Sequence, residues 1–365
     1  MISSPSNDRS PTRYLCIDGL RGAAALAVVL YHLSGNLKEE LSAVAPGWFI
    51  TITSYGYLGV PVFFVLSGFV ITASTKSYGV TLGYFGRFAL KRSLRLDPPY
   101  WAAIGLASVF LITKRELGFD ITTPDAKNYM AHAFYLQDIL DINPKINVVF
   151  WTLCLEIQFY LFFVLSILVT SKISEKSGLV NEVFVNVFSF FLVITGLVSL
   201  LVYSDYLAME SNGWFIPYWH FFVLGSLTYK ATCKKGVHVF CLIVFLILEV
   251  GTVVYSDEDA YMAAAISTSI FISFMATINK LQNGLSWAPL QFLGAISYSL
   301  YLTHPDIGWK TISIVKLIFP EEVHGYLSFL VYTLGVISSI FFAYVFYIVI
   351  ERSSHKLSRR IVIKK

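Results

Sequence analysis

The sequence has few charged residues: Asp, Glu, Lys and Arg together make up 14% of its 365 residues, against about 25% in soluble globular domains. Apolar residues make up 56%, and the mean hydropathy is +0.66. A soluble fold of this length could not cover so much apolar side chain with polar surface. The composition argues against a cytosolic enzyme, a disordered regulator and a nucleic-acid binder, so no nucleic-acid partner is expected. The composition instead predicts a protein embedded in a lipid bilayer.

Cysteine is also scarce. Its four positions, Cys16, Cys154, Cys233 and Cys241, lie in or next to apolar segments, with no CxxC pair and no spacing typical of metal ligands. The pattern predicts neither a disulfide framework nor a zinc site. We expect these residues to act as small apolar side chains within the membrane, and we expect no bound metal.

Long apolar segments dominate the chain, and a membrane span needs about 20 such residues. Ten segments qualify as candidates, although the third is short and the ninth contains Gly294, Ser297 and Ser299. Together they predict an all-α polytopic membrane bundle, organised as one domain over residues 1–365 with a transmembrane core over 14–350 and short cytoplasmic tails. The candidate spans are 14–34, 55–75, 98–113, 148–170, 184–203, 214–231, 237–255, 260–278, 288–307 and 326–350.

The basic residues predict the orientation of this bundle. With a cytoplasmic N-terminus and ten alternating spans, most of the 27 Lys and Arg residues fall on the cytoplasmic side. This bias follows the positive-inside rule, so both termini are predicted to be cytoplasmic. The basic residues left on the outer side are Lys38, Lys114, Arg115, Lys127, Lys145, Lys310 and Lys316.

Two polar residues of the first span, Arg21 and His32, lie eleven positions apart. On an α-helix they fall within about 20° of one face and about 16.5 Å apart along the axis. Charged groups inside a span are costly, so a retained one indicates pairing, packing or chemistry. Both residues either line a polar cavity, with His32 nearer the outer side, or are a snorkelling arginine and a histidine bonded to a backbone carbonyl.

Basic residues also precede the third span. If this stretch is helical, Arg92 and Arg95 share one face at its cytoplasmic entrance, and Pro98-Pro99 predicts a break in the helix after them. Paired guanidinium groups can hold phosphates. The alternative is anchoring to anionic lipid.

Two further spans carry polar side chains. Glu156, with Gln158 nearby, lies within the fourth span, and it either partners a histidine or arginine elsewhere in a functional site or forms a structural ion pair with Arg21. In the ninth span, Ser297, Tyr301 and His304 follow one another at helical spacing. They either line a substrate site or supply hydrogen bonds between helices. His220 and Glu249 are interpreted as core or interface residues.

These segments resemble the acyltransferase family 3 of integral-membrane O-acyltransferases. The resemblance covers nearly the whole chain, in order. Its elements are the opening Asp18-Gly19-Leu20-Arg21-Gly22 with His32, residues 63–69 (FFVLSGF), Arg92-x-x-Arg95 before Pro-Pro-Tyr, the segment from Trp151 through Glu156 to Tyr160, and residues 297–304 (SYSLYLTH). Asp97 stands where the family often has an aromatic residue, and Thr152 where serine is common.

The resemblance implies transfer of an acyl group, most simply acetyl, from cytoplasmic acyl-coenzyme A (acyl-CoA) to a sugar hydroxyl of a cell-surface glycan or glycolipid. It implies a multi-pass protein of the bacterial inner membrane, with acyl-CoA as a co-substrate and no permanently bound cofactor. Arg21, Arg92 and Arg95 would contact the donor.

The resemblance further implies that His32 acts as a base or as an acyl carrier and that Glu156 orients it. Ser297, Tyr301 and His304 would bind substrate. The alternative function is a transporter or flippase of lipid-linked sugars, because buried His, Arg and Glu residues also suit a proton relay. Neither the oligomeric state nor the acceptor sugar follows from the sequence.

Overall fold

The structure is a computed structural model that describes residues 13–75, 79–177, 181–209, 213–233, 236–255, 259–319 and 325–362. Residues 1–12 and 363–365 of the predicted domain lie outside these ranges. Every regular element within them is helical, and eight helical stretches are long and apolar enough to cross a membrane. This confirms the all-α polytopic bundle. The eight stretches are Leu15–Asn36, Gly47–Ser74, Leu82–Glu116, Trp151–Glu175, Val183–Tyr203, Val237–Val254, Ala260–Thr277 and Tyr326–Arg359.

The described residues form sixteen α-helices, several of which follow one another with little or no break. In chain order they are α1 (Leu15–Asn36), α2 (Lys38–Ser42), α3 (Gly47–Ser54), α4 (Gly59–Ser74), α5 (Leu82–Glu116), α6 (Ala126–Ala133), α7 (Trp151–Ser177), α8 (Asn181–Tyr203), α9 (Trp219–Cys233), α10 (Val237–Tyr255), α11 (Ala260–Thr277), α12 (Ala288–Ala295), α13 (Ser297–His304), α14 (Lys310–Ile318), α15 (Tyr326–Phe346) and α16 (Arg352–Arg359).

Two of the ten candidate spans are not long uninterrupted helices. The segment 214–231 contains α9, which has 15 residues, and 288–307 is divided between α12 and α13. Nearly all of α9 is buried by other helices. A helix enclosed in this way contacts protein rather than lipid, so its length need not match the bilayer. The number of spans and the cytoplasmic termini stay predictions.

The predicted break at Pro98-Pro99 is wrong. Both prolines lie inside α5, which continues for 35 residues. Proline removes backbone hydrogen bonds, but in membrane proteins neighbouring side chains can satisfy the freed groups. Pro98 and Pro99 free the carbonyls of Leu94 and Arg95. The adjacent Leu96 carbonyl accepts from the Tyr298 hydroxyl at 2.9 Å, which ties α5 to α13 at this point. Packing against neighbouring helices thus overrides a local preference.

The centre of the bundle depends on close contact between α4 and α9. A Cβ atom on Gly68 would lie 2.0 Å from the Phe222 carbonyl oxygen, and one on Gly225 would lie 1.9 Å from the Val65 oxygen. The two backbones touch because neither glycine has a side chain, as is common where membrane helices pack closely.

Two helical runs contain a π-helical turn. One turn, Pro305–Trp309, joins α13 to α14, and the other, Tyr347–Glu351, joins α15 to α16. Turns of this kind are frequent at functional sites. Pro305 contributes to the first one, since it has no N–H to donate back along the helix.

The outer surface of the bundle is apolar. Ile194, Ile247 and Phe341 are 63%, 64% and 68% exposed, as expected for side chains that face lipid. The four cysteines are free, as predicted; Cys16, Cys154 and Cys241 are buried, whereas Cys233 is exposed.

Candidate active site

A narrow cavity of about 90 Å³ lies among α1, α4, α5, α7, α13 and α16, on the side predicted to face the cytoplasm. We call it the arginine cavity, because Arg21, Arg92 and Arg95 all line it. Six of the eight predicted site residues, all except His32 and His304, line this cavity. The polar residues that complete its lining are Ser67, Thr152, Glu156, Tyr160, Ser297, Tyr298, Tyr301, Glu351 and His355.

Two of the three arginines have no hydrogen-bond acceptor among the residues that the structure describes. None of the residues that the structure describes accepts a hydrogen bond from Arg21 or Arg95. Arg95 lies within electrostatic range of Arg21, Arg92 and Glu351. Unpaired guanidinium groups in a partly enclosed space are suited to an anionic ligand.

The third arginine is held by its neighbours. Arg92 donates to the Ser74 hydroxyl at 3.0 Å, and its guanidinium lies 4.8 Å from the centre of the Tyr160 ring. The Tyr160 hydroxyl donates to Glu156, which also accepts from Ser67 at 3.0 Å. Glu156 therefore fixes the aromatic ring on which Arg92 rests.

A second carboxylate, Glu351, closes another wall of the arginine cavity. It is 2% exposed and accepts from both the backbone N–H and the hydroxyl of Ser299, at 3.1 and 2.5 Å. Its other oxygen lies 3.3 Å from His355 Nε2. Two carboxylates, the buried Glu351 and the partly exposed Glu156, thus face three arginines, which leaves an excess of positive charge.

His32 pairs with His304. His32 Nδ1 lies 2.9 Å from His304 Nε2, and His304 Nδ1 lies 3.0 and 2.9 Å from the carbonyl oxygens of Leu300 and Tyr301. Carbonyl oxygens only accept, so His304 Nδ1 carries a hydrogen. With both rings neutral, His304 Nε2 is then the acceptor and His32 Nδ1 the donor. This pattern assigns the free lone pair of His32 to Nε2.

His32 opens onto a different cavity from the arginines. This space of about 440 Å³, the His32 cavity, is also lined by Tyr31, Ser34, Asn36 and Trp309. Trp309 Nε1 donates to the His32 carbonyl at 2.9 Å, which secures the wall of the cavity. Arg21 and His32, both in α1, therefore line cavities at two levels of the bundle.

Tyr301 lies between the arginine cavity and the histidine pair. Its hydroxyl is 2.7 Å from Thr152 Oγ1, and its ring centre is 6.1 Å from that of His304, one turn further along. Tyr301 and Ser297 line the arginine cavity, whereas His304 does not. The three residues predicted to line one substrate site are thus divided between the arginine cavity and the histidine pair. Tyr301 lies between the two.

The predicted contact between Glu156 and His32 does not form, and neither does an ion pair between Glu156 and Arg21. Among the described residues, Glu156 bonds to Ser67 and Tyr160, and the ring partner of His32 is His304. The helix spacing within one span gave no information on which spans meet. Asp97, which follows Arg95 in the sequence, accepts hydrogen bonds from Ser93 and Tyr135.

Sequence reasoning missed several residues of the arginine cavity, notably Ser67, Tyr160, Glu351 and His355. Glu351 carried a usable signal, because it directly follows the last apolar span and has His355 four positions later. The interpretation of His220 and Glu249 as interior residues is confirmed by a fully buried contact of 2.9 Å between them.

Comparison with known proteins identifies the family. The model of the Acyltransferase domain family, acyltransferase 3, matches residues 14–348. The chain belongs to this family. No solved structure is significantly similar to it.

Two relatives illustrate the family. The protein named "Putative peptidoglycan O-acetyltransferase YrhL" of Bacillus subtilis (strain 168) is 25% identical over 79% of this chain and 47% of its own length. The O-acetyltransferase OatA of Staphylococcus aureus (strain NCTC 8325 / PS 47) is 26% identical over 94% of this chain and 58% of its own length. The chain spans about half the length of the curated relatives it matches.

Proposed function

We propose that the protein is a membrane O-acyltransferase that moves an acetyl group from cytoplasmic acetyl-CoA to a hydroxyl of a cell-surface glycan or glycolipid sugar, in the inner membrane of a bacterium. One observation carries the proposal: a histidine with a free ring nitrogen faces one cavity, and unpaired arginines line another. Membership of the acyltransferase 3 family and the name of YrhL support it.

The arginine cavity suits the donor. Coenzyme A is rich in phosphate, and Arg21 and Arg95 offer guanidinium donors that no described side chain occupies. Charge-assisted hydrogen bonds of this kind are about twice as strong as neutral ones. The phosphates would lie at the cytoplasmic mouth of the cavity, with the acetyl thioester directed towards Tyr301.

The reaction needs a group that accepts the proton of a sugar hydroxyl. We assign this role to His32 Nε2, since His304 occupies Nδ1 and the free nitrogen of a neutral imidazole can act as a general base. The sugar oxygen forms a bond to the thioester carbonyl carbon, its proton passes to Nε2, and the C–S bond breaks to release coenzyme A as a thiolate. In the second possible route, Nε2 bonds to the carbonyl carbon and the C–S bond breaks to release coenzyme A as a thiolate. The sugar oxygen then bonds to the same carbon, the C–N bond breaks, and the sugar proton passes to Nε2.

The test compares base-labile acetate on envelope polysaccharides of the native host in wild type, a deletion strain, and the deletion strain carrying His32→Ala. We expect ester acetate to disappear on deletion and not to return with His32→Ala, by either route. Membrane levels of the His32→Ala protein are measured in parallel, so that loss of acetate is assigned to the missing imidazole and not to loss of the protein. Full activity of His32→Ala would overturn the proposal.

The alternative function, a flippase for lipid-linked sugars, makes a different prediction. An acyltransferase binds acetyl-CoA saturably, whereas a flippase has no reason to do so. Isothermal titration of the purified protein with acetyl-CoA separates the two, and absence of binding together with unchanged envelope acetate would favour the flippase.

A further inference from the structure

A third cavity, of about 510 Å³, lies on the side of the bundle predicted to face outward. Its volume is within the range of about 300–1,000 Å³ that is typical of ligand sites. We call it the lysine cavity, because Lys114, Lys145 and Lys310 line it together with Trp151 and Trp309. The three lysines come from the end of α5, the loop after α6, and the start of α14.

Basic residues are sparse on this side of the membrane. Most Lys and Arg residues of the chain fall on the cytoplasmic side, in keeping with the positive-inside rule. Three of those on the outer side nevertheless line this cavity. Their convergence from separate parts of the chain is therefore not explained by the orientation of the protein.

The charges in the lysine cavity do not balance. Lys145 is paired with Asp138 at 2.8 Å. The remaining carboxylate, Asp306, accepts from the Asn147 amide at 2.6 Å and lies within electrostatic range of Lys310, which in turn is close to Lys114. One carboxylate thus faces two ammonium groups, and one positive charge is left without a partner of opposite sign.

Trp309 connects this cavity with the His32 cavity. It lines both spaces, and its indole N–H is bonded to the His32 carbonyl. A ligand that passes over Trp309 would therefore reach His32 at one end and the lysines at the other. Trp151 and Trp309 also offer aromatic surface for the apolar faces of sugar rings.

We propose that the acceptor is an acidic glycan, whose carboxylate or phosphate group binds between Lys114 and Lys310 while a neighbouring sugar hydroxyl reaches His32 across Trp309. This inference rests on the proposed acetyl transfer and adds the chemical class of the acceptor and its binding site.

The test measures transfer of labelled acetate from acetyl-CoA, by protein in phosphatidylcholine nanodiscs, to envelope glycan from the deletion strain. The glycan is used intact, after conversion of its carboxylates to alcohols, and after removal of its phosphates. Transfer to intact glycan by the wild type tests the proposed function alone. We expect the KM for the glycan to rise about 10-fold after one of the two treatments. The treatment that raises it identifies the anionic group as a carboxylate or a phosphate.

Variants locate the site. We expect Lys114→Gln and Lys310→Gln each to raise the KM for intact glycan about 10-fold. In these variants the KM values for intact and treated glycan should be equal. Their affinity for acetyl-CoA should be that of the wild type. Lys127→Gln is the control, since Lys127 is exposed on the same side and does not line the cavity.

Two results would overturn the inference while leaving acetyl transfer intact. One is equal transfer to all three glycans by every variant. The other is an effect of the lysine variants that appears only when the nanodiscs contain phosphatidylglycerol and is the same for treated and intact glycan, which would assign the lysines to lipid headgroups.

Discussion

The ring of His304 holds the ring of His32 in one orientation. The 2.9 Å contact between His32 Nδ1 and His304 Nε2 joins α1 to α13, 272 positions apart in the chain. Because two backbone carbonyls fix the hydrogen of His304 on Nδ1, the hydrogen of His32 is fixed as well. With His32 as the proposed base, His304 would play the part of the third group in catalytic triads, with a neutral imidazole in place of a carboxylate.

Replacing His304 should lower the turnover number rather than substrate affinity. We expect His304→Ala to reduce kcat about 100-fold or more, because the base loses its orientation, while the KM values for acetyl-CoA and glycan stay within about 3-fold. His304→Gln retains an acceptor for His32 Nδ1 and should recover part of the rate. The two KM values and kcat are measured by acetate transfer. An equal loss in both variants, with lowered thermal stability, would indicate a structural role instead.

The sequence contained the members of this site but not their arrangement. Charged and polar residues in apolar segments marked Arg21, His32 and Glu156, because burial without a purpose is costly. The pairing of His32 with His304 and not with Glu156 depends on which helices touch, and the period of a single helix cannot show this. The continuous α5 and the π-helical turns likewise result from packing between helices, since local rules predict a break at Pro98.

Loss of Arg95 should weaken donor binding. We expect Arg95→Gln to raise the Kd for acetyl-CoA about 10- to 100-fold, the effect of removing a charge-assisted hydrogen bond. Isothermal titration measures it. Arg115→Gln is a matched control, since Arg115 lies in the same helix, is exposed and is paired with Glu116. Unchanged affinity in Arg95→Gln would place the donor phosphates outside the arginine cavity.

Neutralising Glu351 should strengthen donor binding. In Glu351→Gln the amide oxygen can still accept from Ser299, but the negative charge near Arg95 and Arg21 is lost. An increase of about 1 kcal/mol in the attraction between the cavity and an anion corresponds to about 5-fold lower Kd for acetyl-CoA. The same titration at low and high salt measures it, and the gain should shrink at high salt. Weaker binding would mean that the carboxylate holds the arginines in place.

The contact between α4 and α9 should tolerate no added methyl group. In Gly225→Ala the new Cβ would lie 1.9 Å from the Val65 carbonyl oxygen, so the two backbones must move apart. Overpacking of this kind costs about 1–3 kcal/mol. Thermal unfolding of the protein in detergent should show a clear decrease in Tm. Gly105→Ala is the control, because a Cβ there has no atom within 4 Å, and alanine favours a helix by up to about 1 kcal/mol over glycine. If the two variants unfold at the same temperature, the closeness of α4 and α9 is not what stabilises the centre of the bundle.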